Sequence, residues 1–329
     1  MILILFPKAT VMTIGELLAD TSYTQKSILQ KLIMYYCQIS REDMWMGADT
    51  EITKALLDAI VLGYTKYVEE KMPLEYIVGK VTFLGNDFVV NQHTLIPRPE
   101  TEYMIAAINE YIQTSQRHNV TMLQRWNSAT LEHFLLDIGT GCGVLGLSVL
   151  LHNPDAFSWA ILSDFSPEAL EVARENYGLL EDRIKNWELR NVDFVHSSLL
   201  SFFDTSWIAA PSARNDETNI IAAKDIVLVA NLPYIPDAMF DENVDETVKK
   251  WEPRMAFVGW DDGLDLYREM FEQLFQLKAE SWKPKSLVMF LEMMTWQVDI
   301  LRQEFGDKME FVEVKTFHFN IRIVKAILS

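Results

Sequence analysis

Apolar residues recur at helical spacing through the first part of the chain, from about residue 13 to residue 72. Thr13 and Glu16 have the spacing of a capping box, in which each side chain satisfies a free backbone N–H of the other residue. Two apolar sets follow, and the members of each set share one helical face. They are Ile28, Leu32, Tyr35 and Tyr36, and then Ile52, Leu56, Ile60, Tyr64 and Tyr67. Because such stripes usually pack inward, they predict a small helical domain with an aromatic core.

The pattern changes between residues 75 and 95. Strand-forming side chains flank Gly85-Asn86-Asp87, which predicts a β-hairpin that turns there. Two prolines then interrupt the chain, and we expect a helix from Glu100 onward. The predicted organisation is a helical domain at 1–74, a hairpin linker at 75–96 and a larger domain at 97–329.

After residue 131, short apolar strands alternate with helices. The predicted strands lie at 134–138, 159–162, 187–195, 226–230 and 287–291, with helices at about 144–151 and 167–177. The segments 311–317 and 321–328 are close in sequence, which predicts an antiparallel pair. Repeated βα units predict an α/β fold with a parallel sheet covered by helices. Such sheets bind ligands at the carboxyl ends of their strands.

Charge and cysteine content narrow the classes of function. The 329 residues carry a formal charge of −18, which disfavours a protein that grips a nucleic-acid backbone, because such proteins present basic residues to the phosphates. Cys37 and Cys142 are too few for a disulfide framework or a cysteine-rich metal site, and the six histidines have no metal-binding spacing. No apolar run reaches the ~18 residues that span a bilayer. We therefore expect a cytoplasmic protein without a metal.

A glycine-rich turn, Asp137-Ile138-Gly139-Thr140-Gly141-Cys142-Gly143, follows the first strand of the larger domain. Glycines let a ligand approach the backbone closely, and the next helix points free N–H groups at the turn. Gly141, Gly143 and Gly146 also fit a dinucleotide motif, so a nicotinamide cofactor is an alternative. Asp137 favours S-adenosylmethionine instead, since a carboxylate there repels a pyrophosphate and attracts the ammonium group of the methionine moiety.

Asp164 closes the second predicted strand, 21 residues beyond Gly143. A carboxylate at this place can bind both hydroxyls of a ribose, in NAD as well as in S-adenosylmethionine. It therefore indicates a nucleoside-containing cofactor without choosing between the two.

Asn231-Leu232-Pro233-Tyr234 follows the fourth predicted strand, at the same sheet edge as the glycine turn. The tetrapeptide suits methylation of a planar nitrogen, such as an amide or an exocyclic amine, whose lone pair is delocalised. The Asn231 side-chain oxygen and the Pro233 backbone carbonyl can accept hydrogen bonds from its two N–H groups and aim it at the methyl group. The Tyr234 ring can stack on the planar group and face the positive sulfonium. The rate gain then comes from alignment and electrostatics.

With these motifs, the chain resembles the HemK/PrmC-type release factor glutamine N5-methyltransferases over nearly its whole length. Further strings carry the resemblance: Pro73-Leu74-Glu75-Tyr76-Ile77-Val78-Gly79, Leu95-Ile96-Pro97-Arg98-Pro99-Glu100-Thr101-Glu102, Asp164-Phe165-Ser166-Pro167-Glu168-Ala169-Leu170, Glu252-Pro253-Arg254 and Asp262-Gly263-Leu264-Asp265-Leu266-Tyr267-Arg268. The family implies a class I S-adenosylmethionine-dependent methyltransferase fold. This fold is Rossmann-like, with a mostly parallel seven-stranded sheet and a C-terminal antiparallel hairpin, here beside a small N-terminal helical domain.

The family also implies a reaction, the methylation of the GGQ-loop glutamine of peptide-chain release factors. The cofactor would be bound by Asp137, Gly139, Thr140, Gly141, Cys142, Gly143, Asp164, Ser198, Leu199 and Asn231. The glutamine would be bound by Asn231, Leu232, Pro233, Tyr234 and Arg98, with Asn231, Pro233 and Tyr234 as the catalytic residues. The helical domain would help to clasp the release factor. We expect a monomer that contacts neither nucleic acid nor membrane directly.

The chain departs from the family pattern at two site positions. Leu232 replaces a second proline, and Ser198 replaces an aspartate that lies on the adenine side of the cofactor. The stretches 113–129 and 208–224 are longer than usual and are expected to be surface insertions.

Other activities fit parts of the sequence. The ribosomal-protein glutamine methyltransferases share the catalytic domain. Ribosomal-RNA and DNA adenine methyltransferases share the tetrapeptide, but they need a basic groove. A binding module that kept the fold without turnover is a further alternative, as is a nicotinamide dehydrogenase, in which Asn231 to Tyr234 would have no role.

Overall fold

A computed structural model of the chain describes residues 12–118, 133–184, 191–201, 225–280, 284–316 and 321–328. The described residues form two compact units. The first contains residues 12–80 and the helix Glu246–Trp251, and the second contains the rest. The predicted domain boundaries at 74 and 96 stay predictions, as does the role given to each part. Within the described ranges, no helix is long and apolar enough to cross a membrane.

The first unit is built mainly from short helices. These are α1 (Ile14–Ala19), α2 (Lys26–Cys37), α3 (Arg41–Met46), α4 (Lys54–Thr65), the π-helical turn Lys66–Glu70 and α5 (Leu74–Val78), with the two-residue strands β1 (Met12–Thr13) and β2 (Glu51–Ile52). The predicted capping box is confirmed, because the Thr13 hydroxyl accepts from the Glu16 N–H and the Thr13 N–H donates to the Glu16 carboxylate.

Three of the four tyrosines in the predicted stripes contact the core of this unit, with Tyr64 buried and Tyr36 and Tyr67 partly buried against it. Tyr64 is buried, its hydroxyl accepts from the Gln25 N–H at 2.8 Å, and its ring meets Tyr23 edge-on at 4.8 Å. The helical placement of Ile52 is wrong, because Ile52 lies in β2 opposite Met12. The reason is local, because the Thr53 hydroxyl caps α4 and the helix therefore begins at Lys54, after Ile52.

The predicted hairpin forms from β3 (Lys80–Phe83) and β4 (Asn86–Val89), but its turn lies earlier than expected. Leu84 and Gly85 occupy the turn with φ of 47° and 75°, as a two-residue hairpin loop requires. Asn86 is instead a buried strand residue whose side chain donates to the Leu84 carbonyl and accepts from Arg183. These side-chain bonds explain why Asn86 leaves the turn.

A seven-stranded sheet organises the second unit. Its strands are β5 (His133–Ile138), β6 (Phe157–Asp164), β7 (Asn191–His196), β8 (Asp225–Ala230), β9 (Ser286–Met294), β10 (Met309–Thr316) and β11 (Ile321–Leu328), in the order β10-β11-β9-β8-β5-β6-β7. β5 to β9 run parallel, whereas β11 is antiparallel to both β9 and β10. The predicted fold class is confirmed.

Helices connect and cover these strands. They are α6 (Glu102–His118), α7 (Val144–His152), α8 (Pro167–Ile184), α9 (Asp237–Asn243), α11 (Asp265–Glu280) and α12 (Thr295–Phe305), with Glu246–Trp251 as α10 and 3₁₀ turns at Pro99–Thr101 and Arg254–Ala256. The expected helix from Glu100 thus begins as a 3₁₀ turn. Most of the predicted stretches 113–129 and 208–224, and the start of the third predicted strand, lie outside the described residues.

The strand order reverses beside β5, which pairs with β6 on one side and with β8 on the other. All six residues of β5 are buried, so this strand crosses the middle of the core. A crevice opens at such a reversal, beyond the carboxyl ends of the strands. The glycine turn follows β5, Asp164 ends β6 and Asn231 follows β8, so topology alone brings the three predicted motifs to one edge.

Candidate active site

A cavity of about 700 Å³ lies at this edge of the sheet, within the second unit. Its volume falls within the range of small-molecule sites. Eleven of the fourteen predicted site residues line it, namely Arg98, Gly139, Thr140, Gly141, Cys142, Asp164, Ser198, Leu199, Asn231, Leu232 and Pro233. Asp137, Gly143 and Tyr234 are not in the lining.

The backbone conformation at position 139 favours glycine, and the Leu232 side chain leaves little room for a larger residue. Its φ is 71°, and a Cβ atom there would come within 2.9 Å of Leu232 Cδ2. At Gly141, with φ of 57°, no atom would lie within 4 Å of an added Cβ. The turn therefore packs tightly against the 231–234 segment at one glycine and leaves open space at the other.

Asp137 supports the turn from behind. It is 1% exposed, and its Oδ2 accepts hydrogen bonds from the Thr140 hydroxyl at 2.6 Å and the Gly146 N–H at 2.8 Å. Burial raises the pKa of this carboxyl to about 7. Its Oδ1 has no hydrogen-bond partner among the described residues. The expected contact with a ligand ammonium group stays a prediction.

The position of the Asp137 carboxylate also explains why residue 146 is a glycine. A Cβ at this position would lie 2.6 Å from Asp137 Oδ2. The third glycine of the dinucleotide-like pattern is therefore needed to admit the aspartate, whichever cofactor binds.

Asp164 holds the other side of the turn. Its Oδ2 accepts from the Gly141 N–H and its Oδ1 from the Ser166 N–H, both at 2.8 Å. Burial raises the pKa of this carboxyl, whereas the backbone hydrogen bonds lower it. Each oxygen keeps a further lone pair, so the carboxylate can still accept from ribose hydroxyls.

The 231–234 segment is fixed by buried side chains. Asn231 Nδ2 donates to the Thr101 hydroxyl at 3.4 Å, and the Tyr234 hydroxyl donates to Glu292 at 3.0 Å. Burial is the main cause that raises the pKa of Tyr234 well above its usual value. The hydroxyl of Tyr234 thus points into the protein, and stacking of its ring on a substrate stays a prediction.

Comparison with known proteins identifies the family. No protein-family model matches the chain. The release factor glutamine methyltransferase of Clostridium acetobutylicum is 32% identical over 273 residues, which cover 82% of this chain and 79% of that protein. The enzyme of the same name from Bacillus anthracis is 32% identical over 244 residues, which cover 74% and 72%. This chain belongs to the release factor glutamine methyltransferase family.

Among solved structures, the catalytic domain of hMettl16 aligns with 92% of this chain and 91% of its own, at a TM-score of 0.49 and 12% identity. Nothing about the substrate of this chain follows from a likeness of that degree.

The cavity suits S-adenosylmethionine, the cofactor of this methyltransferase family, better than a dinucleotide. A pyrophosphate can be held by backbone N–H groups at a helix N-terminus, but both arginines of the described lining are already paired and add no free cation for it. Arg98 contacts Glu252, and Arg254 contacts Asp237 and Asp241. Asp164 offers acceptors for the ribose hydroxyls of either cofactor, whereas the unpartnered oxygen of Asp137 behind the turn favours a positive group nearby.

Arg98 has a structural partner that the sequence did not reveal. Its guanidinium lies 2.6 Å from Glu252 Oε1 and 5.8 Å from the centre of the Phe257 ring. Glu252 Oε2 also accepts from the Ile96 N–H at 3.0 Å. Two strings that characterise the family therefore meet in one ion pair at the cavity wall, and a contact of Arg98 with substrate stays a prediction.

Ser198 and Leu199 also line the cavity. Leu199 has a φ of 50°, and the Ser198 carbonyl accepts from the Ser201 N–H. The carboxylate of Glu269 also lines the cavity and accepts from Gln273, which in turn accepts from the Leu200 N–H. An acidic group thus stands on the same side as Ser198, although the aspartate usual in the family is missing.

Sequence reasoning missed Glu252, Glu269 and Glu292 as site residues. Glu292 carried a signal, because it is a charged residue inside the apolar strand β9 and is only 2% exposed. A buried carboxylate needs hydrogen-bond donors around it, so such a residue marks a polar network. Glu269 lies on a helix among other charged residues, and its sequence context gives no such signal.

Proposed function

We propose that this chain transfers a methyl group from S-adenosylmethionine to the side-chain amide nitrogen, N5, of the GGQ-loop glutamine of peptide-chain release factors. The observation that carries the proposal is the position of Asn231, whose side chain lines the cavity beside the glycine turn. Membership of the family supplies the substrate class.

S-adenosylmethionine, when bound, supplies an electrophilic methyl group on a positive sulfur. The residues of the turn and Asp164 would hold it, with the Asp164 carboxylate accepting from the ribose hydroxyls. Gly141 leaves room for a ligand against the backbone, because no atom lies within 4 Å of the position of an added Cβ. Thr140, Cys142, Ser198 and Leu199 complete this wall of the cavity.

Asn231 would align the substrate amide. An amide nitrogen is a weak nucleophile because its lone pair is delocalised into the carbonyl. The Asn231 Oδ1 atom, accepting from one substrate N–H, orients the nitrogen and stabilises the positive charge that develops there. Since no strong base is needed, the extra proton can leave to water after transfer.

A backbone carbonyl of the same segment would accept from the second N–H. The Pro233 carbonyl predicted for this role packs against Gly259, where an added Cβ would lie 2.5 Å from its oxygen. The Leu232 carbonyl accepts no hydrogen bond from any described residue, and Leu232 lines the cavity. We therefore assign the second acceptor to Leu232 and give Pro233 the role of fixing the backbone.

The remaining expectations complete the proposal. Residues 1–74 would help to clasp the release factor. The enzyme would act as a monomer. It would work in the cytoplasm, where translation terminates.

The test is a methylation assay with purified chain, methyl-labelled S-adenosylmethionine and a bacterial release factor. We expect label on the GGQ glutamine, identified by mass spectrometry of the loop peptide, and none on a release factor whose glutamine is replaced by alanine. Asn231→Ala should lower kcat at least about 100-fold while retaining cofactor binding in calorimetry. Label on ribosomal protein, RNA or DNA instead would contradict the release-factor assignment but not methyl transfer.

A further inference from the structure

Glu292 lies at the centre of a buried polar cluster beside the substrate segment. Ala230 and Leu291 are register partners in the parallel pair of β8 and β9. The next residue after each partner, Asn231 after Ala230 and Glu292 after Leu291, therefore lies beside its counterpart. Glu292 is 2% exposed. Its carboxylate accepts from the Tyr234 hydroxyl at 3.0 Å and from the Thr101 hydroxyl at 3.1 Å.

Burial raises the pKa of Glu292, and the hydrogen bonds from Tyr234 and Thr101 lower it. With Glu292 ionised, the donors and acceptors in this cluster allow one arrangement of the Asn231 side chain. A carboxylate can accept hydrogen bonds but cannot donate them. Thr101 has one hydroxyl hydrogen, and it is used on Glu292. The Thr101 oxygen can then only accept, and Asn231 stands 3.4 Å from it. Asn231 must therefore turn its NH₂ group towards Thr101, which leaves its Oδ1 for the cavity.

The orientation of this carboxamide matters because its two ends have opposite hydrogen-bonding roles. Oδ1 can accept a hydrogen bond from a substrate N–H. The NH₂ group cannot, because it is itself a donor and would place two donors against each other. Oxygen and nitrogen have nearly the same shape, so packing alone does not choose between the two orientations.

We propose that Glu292 is a positioning residue, which acts through Thr101 to present the Asn231 Oδ1 atom to the nitrogen that receives the methyl group. The inference rests on the proposed function, since it names how that site is oriented. Glu292 itself does not line the cavity.

Thr101→Val and Thr101→Ser make the central pair of variants. Valine keeps the shape of threonine but lacks the hydroxyl that links Glu292 to Asn231, whereas serine keeps it. Thr101→Val should lower kcat by about 10- to 100-fold, with the KM for S-adenosylmethionine unchanged within about twofold, and Thr101→Ser should stay near wild type. Glu292→Gln should lower kcat similarly, and the double variant should be no worse than either single variant because both break one relay.

Two control variants separate this effect from general loss of structure. Thr65→Val removes a hydroxyl that donates to the Val61 carbonyl in α4, and Glu313→Gln removes a carboxylate that is paired with Arg302 and Arg322. Both should keep the wild-type kcat. Wild-type kcat in Thr101→Val would overturn the positioning role, even if Glu292→Gln fails to fold.

A readout without substrate makes the inference independent of the release-factor assignment. In ¹⁵N-edited spectra of the full chain, the Asn231 NH₂ signals, assigned by their absence in Asn231→Ala, should be protected from solvent exchange. Thr101→Val should abolish the protection, and Thr101→Ser should retain it. Absent methylation of release factors with protected Asn231 signals would refute the proposed function only. Unprotected signals in the wild type would refute the positioning role.

Discussion

The Arg98 guanidinium donates to the Glu252 carboxylate at 2.6 Å, joining two segments that lie 154 residues apart in the chain. Glu252 is almost completely buried, whereas the Arg98 side chain is 34% exposed at the cavity. The second carboxylate oxygen holds the Ile96 N–H. One buried acid thus ties the segment before α6 to the segment after α10.

Replacement of Glu252 tests how much these two hydrogen bonds contribute to the stability of the folded chain. In Glu252→Gln the amide can accept one of the two hydrogen bonds, but its NH₂ group faces a donor at the other. The free energy of unfolding in urea should fall by about 1–3 kcal/mol. The exposed pair Lys54–Asp58 provides the control, and Asp58→Asn should change stability by no more than about 0.5 kcal/mol. Equal effects of the two variants would contradict the structural role of Glu252.

Asp137 should make stability depend on pH. Its folded pKa of about 7 lies above the value of about 4 expected in the unfolded chain. Between these values the folded state holds a proton that the unfolded state has lost, so stability falls as pH rises from about 4 to about 7. Above that window both states are ionised and the loss is complete.

Asp137→Asn should remove this contribution. Its Oδ1 can accept from Thr140 and Gly146 as the carboxylate does, and it carries no charge. We expect the unfolding free energy of the variant, relative to wild type, to rise by a few kcal/mol, of the order of 1.4 kcal/mol per pH unit, as pH increases across that window. Urea titrations at pH 5, 6, 7 and 8 measure this difference in unfolding free energy. A difference that does not change with pH would rule out the raised pKa.

Gly259 should tolerate no side chain. A Cβ there would lie 2.4 Å from the Gly263 carbonyl oxygen and 2.5 Å from that of Pro233, and backbone cannot give way as a flexible side chain can. Gly259→Ala should lower both kcat and stability, the latter by about 2 kcal/mol or more. Gly178→Ala is the matched control, because no atom lies within 4 Å of its added Cβ in α8. The control should be neutral or up to about 1 kcal/mol more stable.

Leu232 should contribute to stability more than to chemistry. Its N–H donates to the Tyr267 hydroxyl at 3.3 Å, a bond that the proline usual in the family cannot make. Leu232→Pro should lower the unfolding free energy by about 1–3 kcal/mol and leave kcat within about threefold, since the carbonyl remains. Leu232→Ala keeps the N–H but removes most of the side chain. It therefore measures the contribution of packing apart from that of the hydrogen bond. A 100-fold loss of kcat in Leu232→Pro would show that leucine serves catalysis directly.

The local parts of the structure could be predicted from the sequence. The Thr13 capping box, the inward aromatic stripe and most strand positions depend on residues a few places apart, whose spacing reflects backbone geometry directly. The errors at Ile52 and at the hairpin turn arose because a cap at Thr53 and the side-chain bonds of Asn86 overrode the apolar pattern.

The sequence by itself determined the fold class, the family and the three motifs that meet at one sheet edge, since βα alternation and short motifs are local. Only the tertiary structure paired Arg98 with Glu252 and set Glu292 and Thr101 around Asn231. Thr101 and Glu292 are 191 residues apart, and their contact depends on β9 lying next to β8 in one particular register. Periodicity within a strand is a property of neighbouring residues, whereas strand order and register follow from the packing of the whole sheet.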